Sequence, residues 1–382
     1  MKKILVLHTK YRSFGGEDQS VENEIKLLEK YFDINKVFLS NKLEKKFNDL
    51  ITLLFNRNLN LEKKFQKLIN EFSPDFIYVH NPWFKASVGL FKLLKNYEIP
   101  VYIKLHNFRY YCTKSYLLSN HLNGSVTCNA CGISSKGKKK FNKYFEDSYF
   151  KSFLVNKFGK KYFKVLQEYE INIIALTKFH KKFLIEQGIK EEKITVIPNF
   201  IPIRNSKKDK NQNDFFIYAG RISSEKGVDK LIESFQNANL HNIKLKIVGE
   251  GPQLSFLKNK YLKSKNIQFL GFVKNKDVLD LISNSIAVVT ATKLYEGQPT
   301  LLCEASSLGV PSIFPETGGI SEFFPNNYHF SYKQFDYEDL TLKIQLINNK
   351  NNQFETGLEN KKFLNRIVGE KELTNLFYGI FK

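Results

Sequence analysis

The residue types that could do chemistry lie in short stretches of the second half of the chain. GRISSEKG places Arg221 and Lys226 just after an apolar run, and EGQPTLLCEA places Glu296 and Glu304 eight positions apart. A guanidinium fork and an ammonium group together suit the oxygens of a diphosphate. Carboxylates suit hydroxyl groups instead, because they accept hydrogen bonds. The combination predicts a site for a diphosphate with hydroxyl-bearing groups on both sides.

Backbone groups would complete this site. VGEGP (248–252) is a glycine loop after an apolar run, and Pro299 suits the first turn of a helix, where its missing N–H costs little. The N–H groups at the start of that helix would face an anion with the positive end of the helix dipole behind them. The residues expected to bind substrate here are Gly249, Gly251, Gly297, Thr300 and Leu301.

Each of these residues also has a structural interpretation. Arg221 or Lys226 alone is more often part of a solvated turn, and Glu296 and Glu304 could simply complement a helix dipole. Their combination in this order favours the functional interpretation.

The order GRISSEKG, VGEGP, LGFV and EGQPTLLCEASSLGVPSI…ETGG closely resembles the retaining glycosyltransferases of family 4. The resemblance implies the GT-B fold, in which two Rossmann-like, doubly wound domains face a central cleft. It also implies that Arg221 and Lys226 hold the leaving diphosphate and that Glu304 holds the ribose. Glu296 would contact the transferred sugar, and the backbone of Val273 the base.

The apolar pattern independently predicts an α/β protein. Ten apolar runs alternate with stretches of helical period, and most are continuous, as in parallel sheets covered on both faces. The polar segment 203–214 predicts a linker. It would separate an acceptor-binding domain (1–202) from a nucleotide-sugar-binding domain (203–365), with a helix at about 366–382 packing back on the first domain.

The first half offers a second set of candidates. Gly15 and Gly16 lie between the first predicted strand and a helix, where the resemblance implies approach to diphosphate and acceptor. A tight turn is the alternative, and the spacing is not the G-x-G-x-x-G of a nicotinamide site. His106 and Asn107 match the H-N-x-R form of a family 4 subset, in which the histidine lies beside the transferred sugar. YVHNPW matches a segment of the same subset, and Asn199 lies where the family often has Asn-Gly.

The cysteines raise the question of zinc. Cys112 and the C-x-x-C pair Cys128 and Cys131 could bind the ion with one more ligand, such as His121. No second pair follows, so reduced thiols are the preferred interpretation. No cofactor or metal is expected to be required, in agreement with the absence of an Asp-x-Asp motif.

The net charge of +21 favours an anionic partner, and a lysine-rich surface that reflects biased composition is an equal alternative on charge alone. Nucleic acid is not the expected partner, because no nucleic-acid-binding motif accompanies the charge. The segment 136–164 instead combines lysines with aromatic residues, as interfacial membrane helices do. Its second half places one apolar set opposite four lysines, although this set could equally be core: Leu154, Phe158, Tyr162 and Phe163.

These observations predict a retaining, metal-independent glycosyltransferase. It would move a sugar from a nucleotide-diphosphate donor to a saccharide or lipid-linked acceptor in bacterial surface polysaccharide or lipooligosaccharide synthesis. We expect a cytoplasmic protein, peripheral on the inner face of the membrane. The alternative is a nucleotide-sugar epimerase, which would need acid/base carboxylates in both halves, where the first half offers Glu17 and Asp18.

Overall fold

A computed structural model describes residues 1–11, 15–41, 52, 54–108, 110, 148–204 and 214–382. The chain divides into two compact units. We call residues Met1–Phe200 together with Leu373–Lys382 the N-terminal unit, and Ile201–Glu372 the C-terminal unit. Each contains one six-stranded sheet in which the paired strands run parallel.

The N-terminal unit alternates strands and helices. Its sheet has the order β2-β1-β3-β4-β5-β6. The elements are β1 (Lys3–Lys10), α1 (Gly16–Leu28), β2 (Asp33–Ser40), α2 (Leu59–Phe72), β3 (Phe76–Asn81), α3 (Gly89–Leu94), β4 (Val101–Leu105), α4 (Tyr149–Glu168), β5 (Asn172–Ala175), α5 (Lys178–Glu186) and β6 (Ile194–Val196).

The C-terminal unit repeats this alternation, with the sheet order β12-β11-β10-β7-β8-β9. Its elements are β7 (Phe215–Ala219), α6 (Val228–Asn237), β8 (Lys244–Val248), α7 (Leu254–Lys260), β9 (Ile267–Gly271), α8 (Asn275–Ser283), β10 (Val288–Val289), α9 (Thr300–Ser307), β11 (Ser312–Glu316), β12 (Ser331–Lys333), α10 (Tyr337–Leu346) and α11 (Lys350–Val368).

The last helix is α12 (Glu370–Ile380), and from Leu373 onward it belongs to the N-terminal unit. Tyr102 on β4 donates its hydroxyl to the carbonyl of Ile380 at 2.8 Å. The ring of Phe381 lies 5.1 Å from that of Tyr102 and 5.2 Å from that of Phe76, centroid to centroid. Aromatic burial and this hydrogen bond therefore attach the end of the chain to β3 and β4.

The prediction of doubly wound parallel sheets is confirmed. Each of the ten apolar runs contains a strand, and β3 is buried along its whole length. The strands that the sequence did not reveal, β2 and β12, lie at sheet edges, where fewer side chains need to be apolar. Most of the linker prediction falls on residues 205–213, which lie outside the described residues.

The buried side of α4 corrects one interpretation of the segment 136–164. Leu154, Phe158, Tyr162 and Phe163 are core residues, and the Phe158 ring packs 4.9 Å from Trp83. The helix period identified an apolar face correctly, but the protein interior covers it. Residues 136–147 lie outside the described residues. Among the described helices, none combines the length and the apolar character that a bilayer crossing requires.

Candidate functional site

The loop after β7 carries the two predicted cations of the C-terminal unit. Arg221 is exposed, and its carbonyl accepts a hydrogen bond of 2.8 Å from the buried Tyr218 hydroxyl. A single 3-10 turn, Ser224–Lys226, follows and ends at Gly227, whose φ of 65° suits glycine. The backbone at Arg221 is therefore anchored while its guanidinium faces solvent.

The glycine loop after β8 packs directly against the Arg221 loop. A Cβ atom on Gly249 would lie 1.9 Å from the carbonyl oxygen of Gly220, and one on Gly251 would lie 2.2 Å from that of Ile222. The Ile222 N–H donates to the carbonyl of Glu250 at 2.9 Å. These glycines are needed so that two backbones can touch, which positions Arg221. Their predicted contact with substrate stays a prediction.

Lys226 meets Glu296 in this unit. The Lys226 Nζ atom lies 2.5 Å from Glu296 Oε1, and both side chains are about a quarter exposed, at 29% and 24%. Thr292 donates its hydroxyl to the same carboxylate oxygen at 3.1 Å. The ammonium group is thus fixed by a carboxylate yet open to solvent. Sequence reasoning missed Thr292, which carries no motif.

The backbone of Glu296 is held by the ETGG turn after β11. Gly319 N–H donates to the Glu296 carbonyl at 2.8 Å. Gly318 has a φ of 59°, and a Cβ there would lie 2.2 Å from the same carbonyl oxygen. The turn therefore packs on the Glu296 loop, and a side chain at residue 318 would push the two apart.

Helix α9 begins beside this loop. Pro299 is its N-cap, immediately before the first turn in which the sequence predicted it, and among the described residues no side chain caps the helix N-terminus. The first backbone N–H groups, at Thr300 and Leu301, therefore have no side-chain cap within the described part of the chain, and the helix dipole gives them positive character. Gly297, like both of these residues, is partly exposed. An anion could bind there.

Glu304 follows one turn later and is partly exposed. Burial raises the pKa of its carboxyl to about 7, an effect opposed by a hydrogen bond from Asn275 and by the charge of Arg204. A carboxyl group with this pKa is ionised in only about half of the molecules near neutral pH.

The predicted residues of the C-terminal unit follow four neighbouring parallel strands. Arg221 and Lys226 follow β7, the two glycines follow β8, partly exposed Val273 follows β9, and Glu296 follows β10. In parallel sheets these carboxyl ends share one edge, where α/β proteins bind ligands. Parallel topology therefore brings residues as far apart in the chain as Arg221 and Glu296, 75 positions, to one edge.

A pocket in the N-terminal unit contains His106 and Asn107, which follow β4. Asn107 donates to Glu17 Oε2 at 3.0 Å and to the Tyr11 hydroxyl at 3.2 Å. Tyr11 donates to the same Glu17 oxygen at 2.7 Å. The pocket is lined by Glu17, His80, Asn81, Pro82, Trp83, Leu105, His106, Asn107, Tyr110 and Tyr162.

Gly15 is the N-cap of α1 and Gly16 its first residue. The Gly15 N–H donates to Asp18 Oδ2 at 3.2 Å, and Asp18 Oδ1 lies 2.7 Å from His8 Nε2. Asp18 is buried and therefore serves the helix start and His8. Asn199 is also buried.

Charged side chains lie beneath this pocket, in the core. Lys104 on β4 forms an ion pair with Glu24 on α1, and both side chains are at most 1% exposed. Tyr78 donates to Glu24 Oε1 at 2.6 Å, and Lys104 Nζ donates to the carbonyl of Pro198 at 3.0 Å. Buried charges persist when they are paired in this way. In the sequence, the signal for this buried ion pair was a lysine within the apolar run VYIKL.

The cysteines of the zinc question, Cys112, Cys128 and Cys131, lie outside the described residues, as does His121. Cys303 on α9 is a buried free thiol, and burial raises its pKa. Within the described ranges, no three His, Cys, Asp or Glu side chains are grouped as metal ligands.

Comparison with known proteins agrees with this geometry. Residues 199–363 match the family model of glycosyl transferases group 1, and residues 44–205 match that of Glycosyltransferase Family 4. The crystal structure of Anabaena HepE in complex with UDP and glucose aligns with a TM-score of 0.66 at 15% identity, covering 100% of this chain and 99% of HepE. The fold is therefore GT-B, and the chain is similar to the family 4 glycosyltransferases.

Two bacterial relatives carry related names. The O-antigen biosynthesis glycosyltransferase WbnH of Escherichia coli is 29% identical over 175 residues, covering 44% of this chain and 47% of WbnH. The capsular polysaccharide biosynthesis glycosyltransferase CapM of Staphylococcus aureus is 28% identical over 261 residues, covering 59% of this chain and 67% of CapM. The matched part of this chain thus spans about half the length of WbnH.

Proposed function

We propose that this protein is a retaining glycosyltransferase that moves a sugar from a nucleotide-diphosphate sugar to a hydroxyl group of a saccharide or lipid-linked saccharide. The observation that carries this proposal is the Lys226–Glu296 pair at the strand edge that also carries Arg221 and α9. Cations for a diphosphate and carboxylates for hydroxyl groups lie on neighbouring loops of one unit. The names of WbnH and CapM, both glycosyltransferases, support the same class of reaction.

Leaving-group departure would be the step that the C-terminal unit assists. As the bond between the sugar and the diphosphate breaks, negative charge develops on the departing phosphate oxygen. Arg221, Lys226 and the uncapped start of α9 stabilise that charge. The acceptor oxygen bonds to the sugar carbon on the same face, and its proton passes to the departing phosphate oxygen. In this scheme the reaction needs no metal ion and no protein nucleophile.

The other residues orient the donor. Glu304 accepts hydrogen bonds from the ribose hydroxyls, Glu296 contacts the transferred sugar, and the backbone of Val273 contacts the base. In the N-terminal unit, His106, Asn107 and the Gly15–Gly16 segment serve the sugar and acceptor. The chain would belong to the family 4 subset with the H-N-x-R segment; Arg109 and the subset's cysteines lie outside the described residues.

Location at the inner face of a bacterial membrane is the remaining part of the proposal. Lys157, Lys160, Lys161 and Lys164 are exposed on α4. Tyr149, Phe150 and Phe153 at the start of the helix are more than half exposed. Lysines with exposed aromatic rings bind anionic interfaces, where a lipid-linked acceptor would lie.

A nucleotide screen tests the proposal. UDP, GDP and ADP are added separately, and the melting temperature of the protein is measured with each one. At 100 times its dissociation constant, a bound nucleotide stabilises the folded state by about 2.7 kcal/mol. The sugar form of the nucleotide that binds is then incubated with an acceptor panel, with and without EDTA. Failure of every nucleotide to raise the melting temperature would refute the proposal.

The reaction products separate the detailed claims. Retention requires that the new linkage have the anomeric configuration of the donor, which NMR reads directly. Loss of activity in EDTA contradicts metal independence. An isomerised sugar in the absence of acceptor would identify an epimerase instead.

A further inference from the structure

Two stacked histidines form part of the pocket in the N-terminal unit. His80 lies on β3, and His106 follows the neighbouring strand β4; their ring centroids are 5.3 Å apart with an interplanar angle of 27°. His80 Nδ1 and His106 Nε2 are 3.0 Å apart. A hydrogen bond between two neutral imidazoles requires one nitrogen to donate and the other to accept. The two tautomers are therefore coupled.

Both rings are held in the neutral form. Burial lowers the pKa of His80 and of His106 well below the usual value for histidine. The charge of Lys104 and the neighbouring histidines lower both pKa values further, because they disfavour a second positive charge nearby.

The Glu24 carboxylate selects between the two coupled arrangements. Its position is fixed, because Lys104 and the Tyr78 hydroxyl both donate to it. Its Oε1 atom lies 3.9 Å from His80 Nε2. A carboxylate attracts an N–H at this distance and repels a nitrogen lone pair. His80 therefore carries its proton on Nε2 and presents Nδ1 as an acceptor.

The proton position on His106 follows. Its Nε2 must donate to His80 Nδ1, so its Nδ1 carries a lone pair. Within the described part of the chain, His106 Nδ1 is buried without a hydrogen-bond partner. We propose that His80 and Glu24 are positioning residues that fix His106 as the Nε2–H tautomer, so that its Nδ1 accepts a hydrogen bond from a ligand hydroxyl group.

The surrounding pocket fits a hydroxyl-bearing ligand. Glu17 and Asn107 supply polar groups beside His106, and Tyr110 and Tyr162 supply aromatic walls. That the hydroxyl belongs to a sugar rests on the proposed function. The tautomer itself does not, since it follows from the protein alone.

NMR of the full chain labelled with ¹⁵N-histidine tests the proposal without a substrate. Two-bond ¹H–¹⁵N spectra near pH 7 distinguish a protonated ring nitrogen from an unprotonated one. We expect protonated Nε2 and unprotonated Nδ1 in both His80 and His106, which are assigned by His80→Phe and His106→Gln. A protonated Nδ1 on His106, or an even mixture of tautomers, overturns the proposal.

The variant His80→Phe tests the positioning role. Phenylalanine keeps a ring in place but cannot accept the His106 proton, so His106 should become a mixture of tautomers. The matched control is His241→Phe, an exposed site in the C-terminal unit, which should leave the His106 signals unchanged. An unchanged His106 tautomer in His80→Phe overturns the role of His80. If His80→Phe does not fold, the unmodified protein's spectrum decides, with assignment from His106→Gln alone.

The two proposals fail separately. Binding of a nucleotide diphosphate reports on the C-terminal unit, whereas the His106 spectrum reports on the N-terminal unit. A protein that binds UDP but shows His106 protonated on Nδ1 retains the proposed function and loses this inference.

Discussion

Lys226 Nζ and Glu296 Oε1 lie 2.5 Å apart although the two residues are separated by 70 positions in the chain. Their pairing joins the loop after β7 to the loop before α9. Because each side chain is about a quarter exposed, a ligand can still reach the ammonium group. The carboxylate thus holds a cation in place before an anion arrives, which reduces the reorganisation needed when charge develops.

Replacing either cation should slow the reaction strongly. Lys226→Ala or Arg221→Ala removes one group that stabilises charge on the departing diphosphate. Loss of one such donor costs roughly 10²-fold or more in turnover. Steady-state release of the nucleotide diphosphate measures the effect.

Lys230→Ala is the matched control. Lys230 is also a lysine in an ion pair of this unit, with Glu233 at 2.7 Å, and both partners are exposed by more than a third. The turnover of Lys230→Ala should stay close to that of the unmodified protein. Near-normal turnover of Lys226→Ala would remove that residue from the proposed site.

Donor affinity should rise with pH through the ionisation of Glu304. Only the carboxylate can accept from both ribose hydroxyls, and burial raises its pKa to about 7. The binding-competent fraction then increases by roughly tenfold between pH 6 and 8. Calorimetry with UDP-glucose measures this, because the charge of its diphosphate does not change over that range.

Glu304→Gln tests the assignment, since an amide does not ionise. Its affinity should be lower at pH 8 and nearly independent of pH. The raised pKa also means that ionisation favours the unfolded chain, so stability should fall as pH rises from the usual glutamate range to about 7. The stability of Glu304→Gln should not show this contribution to the decrease with pH. An equal pH slope in both proteins would assign the slope to another group.

Adding one methyl group at Gly251 should displace the Arg221 loop. Its Cβ would lie 2.2 Å from the Ile222 carbonyl oxygen, so the two backbones must separate. We expect Gly251→Ala to lower the melting temperature and to weaken binding of the nucleotide diphosphate. Thermal unfolding with and without nucleotide measures both effects.

Gly379→Ala is the opposite case. Gly379 lies in α12, and a Cβ there would meet no atom of the described residues within 4 Å. Alanine in a helix is favoured over glycine by roughly 0.5–1 kcal/mol, so this variant should be slightly stabilised. If Gly251→Ala behaves like Gly379→Ala, the loop contact does not position Arg221.

Membrane binding should depend on the exposed residues of α4. Phe150 and Phe153 are 61% and 53% exposed. The double variant Phe150→Ser, Phe153→Ser therefore leaves the core intact and removes the proposed apolar contact with lipid. Each lysine near an anionic leaflet contributes on the order of 1 kcal/mol. Glutamate at 157, 160, 161 and 164 should therefore abolish sedimentation with phosphatidylserine vesicles.

The control for net charge is a variant with four lysine-to-glutamate substitutions outside α4. Vesicle binding should survive glutamate at four exposed lysines outside α4: Lys258, Lys263, Lys362 and Lys371. Equal loss in both variants would show that net charge, rather than the α4 surface, attracts the protein.

The sequence by itself determined the α/β class and the stretches that carry the candidate site. Continuous apolar runs alternating with helical periods are local signals, and parallel strands necessarily place the residues that follow them at one edge. GRISSEKG and EGQPTLLCEA could therefore be placed together without coordinates. The sequence did not predict the edge strands β2 and β12, because partial exposure leaves them little apolar pattern.

Only the tertiary structure decided which side chains touch. Glu24 and Lys104 pair across 80 positions, and Gly251 packs on Ile222, because folding closes long loops that no local pattern describes. The sequence likewise identified the apolar face of α4. It did not determine whether lipid or the protein core covers that face. A helix period reports which residues share a face, and only packing determines what that face meets.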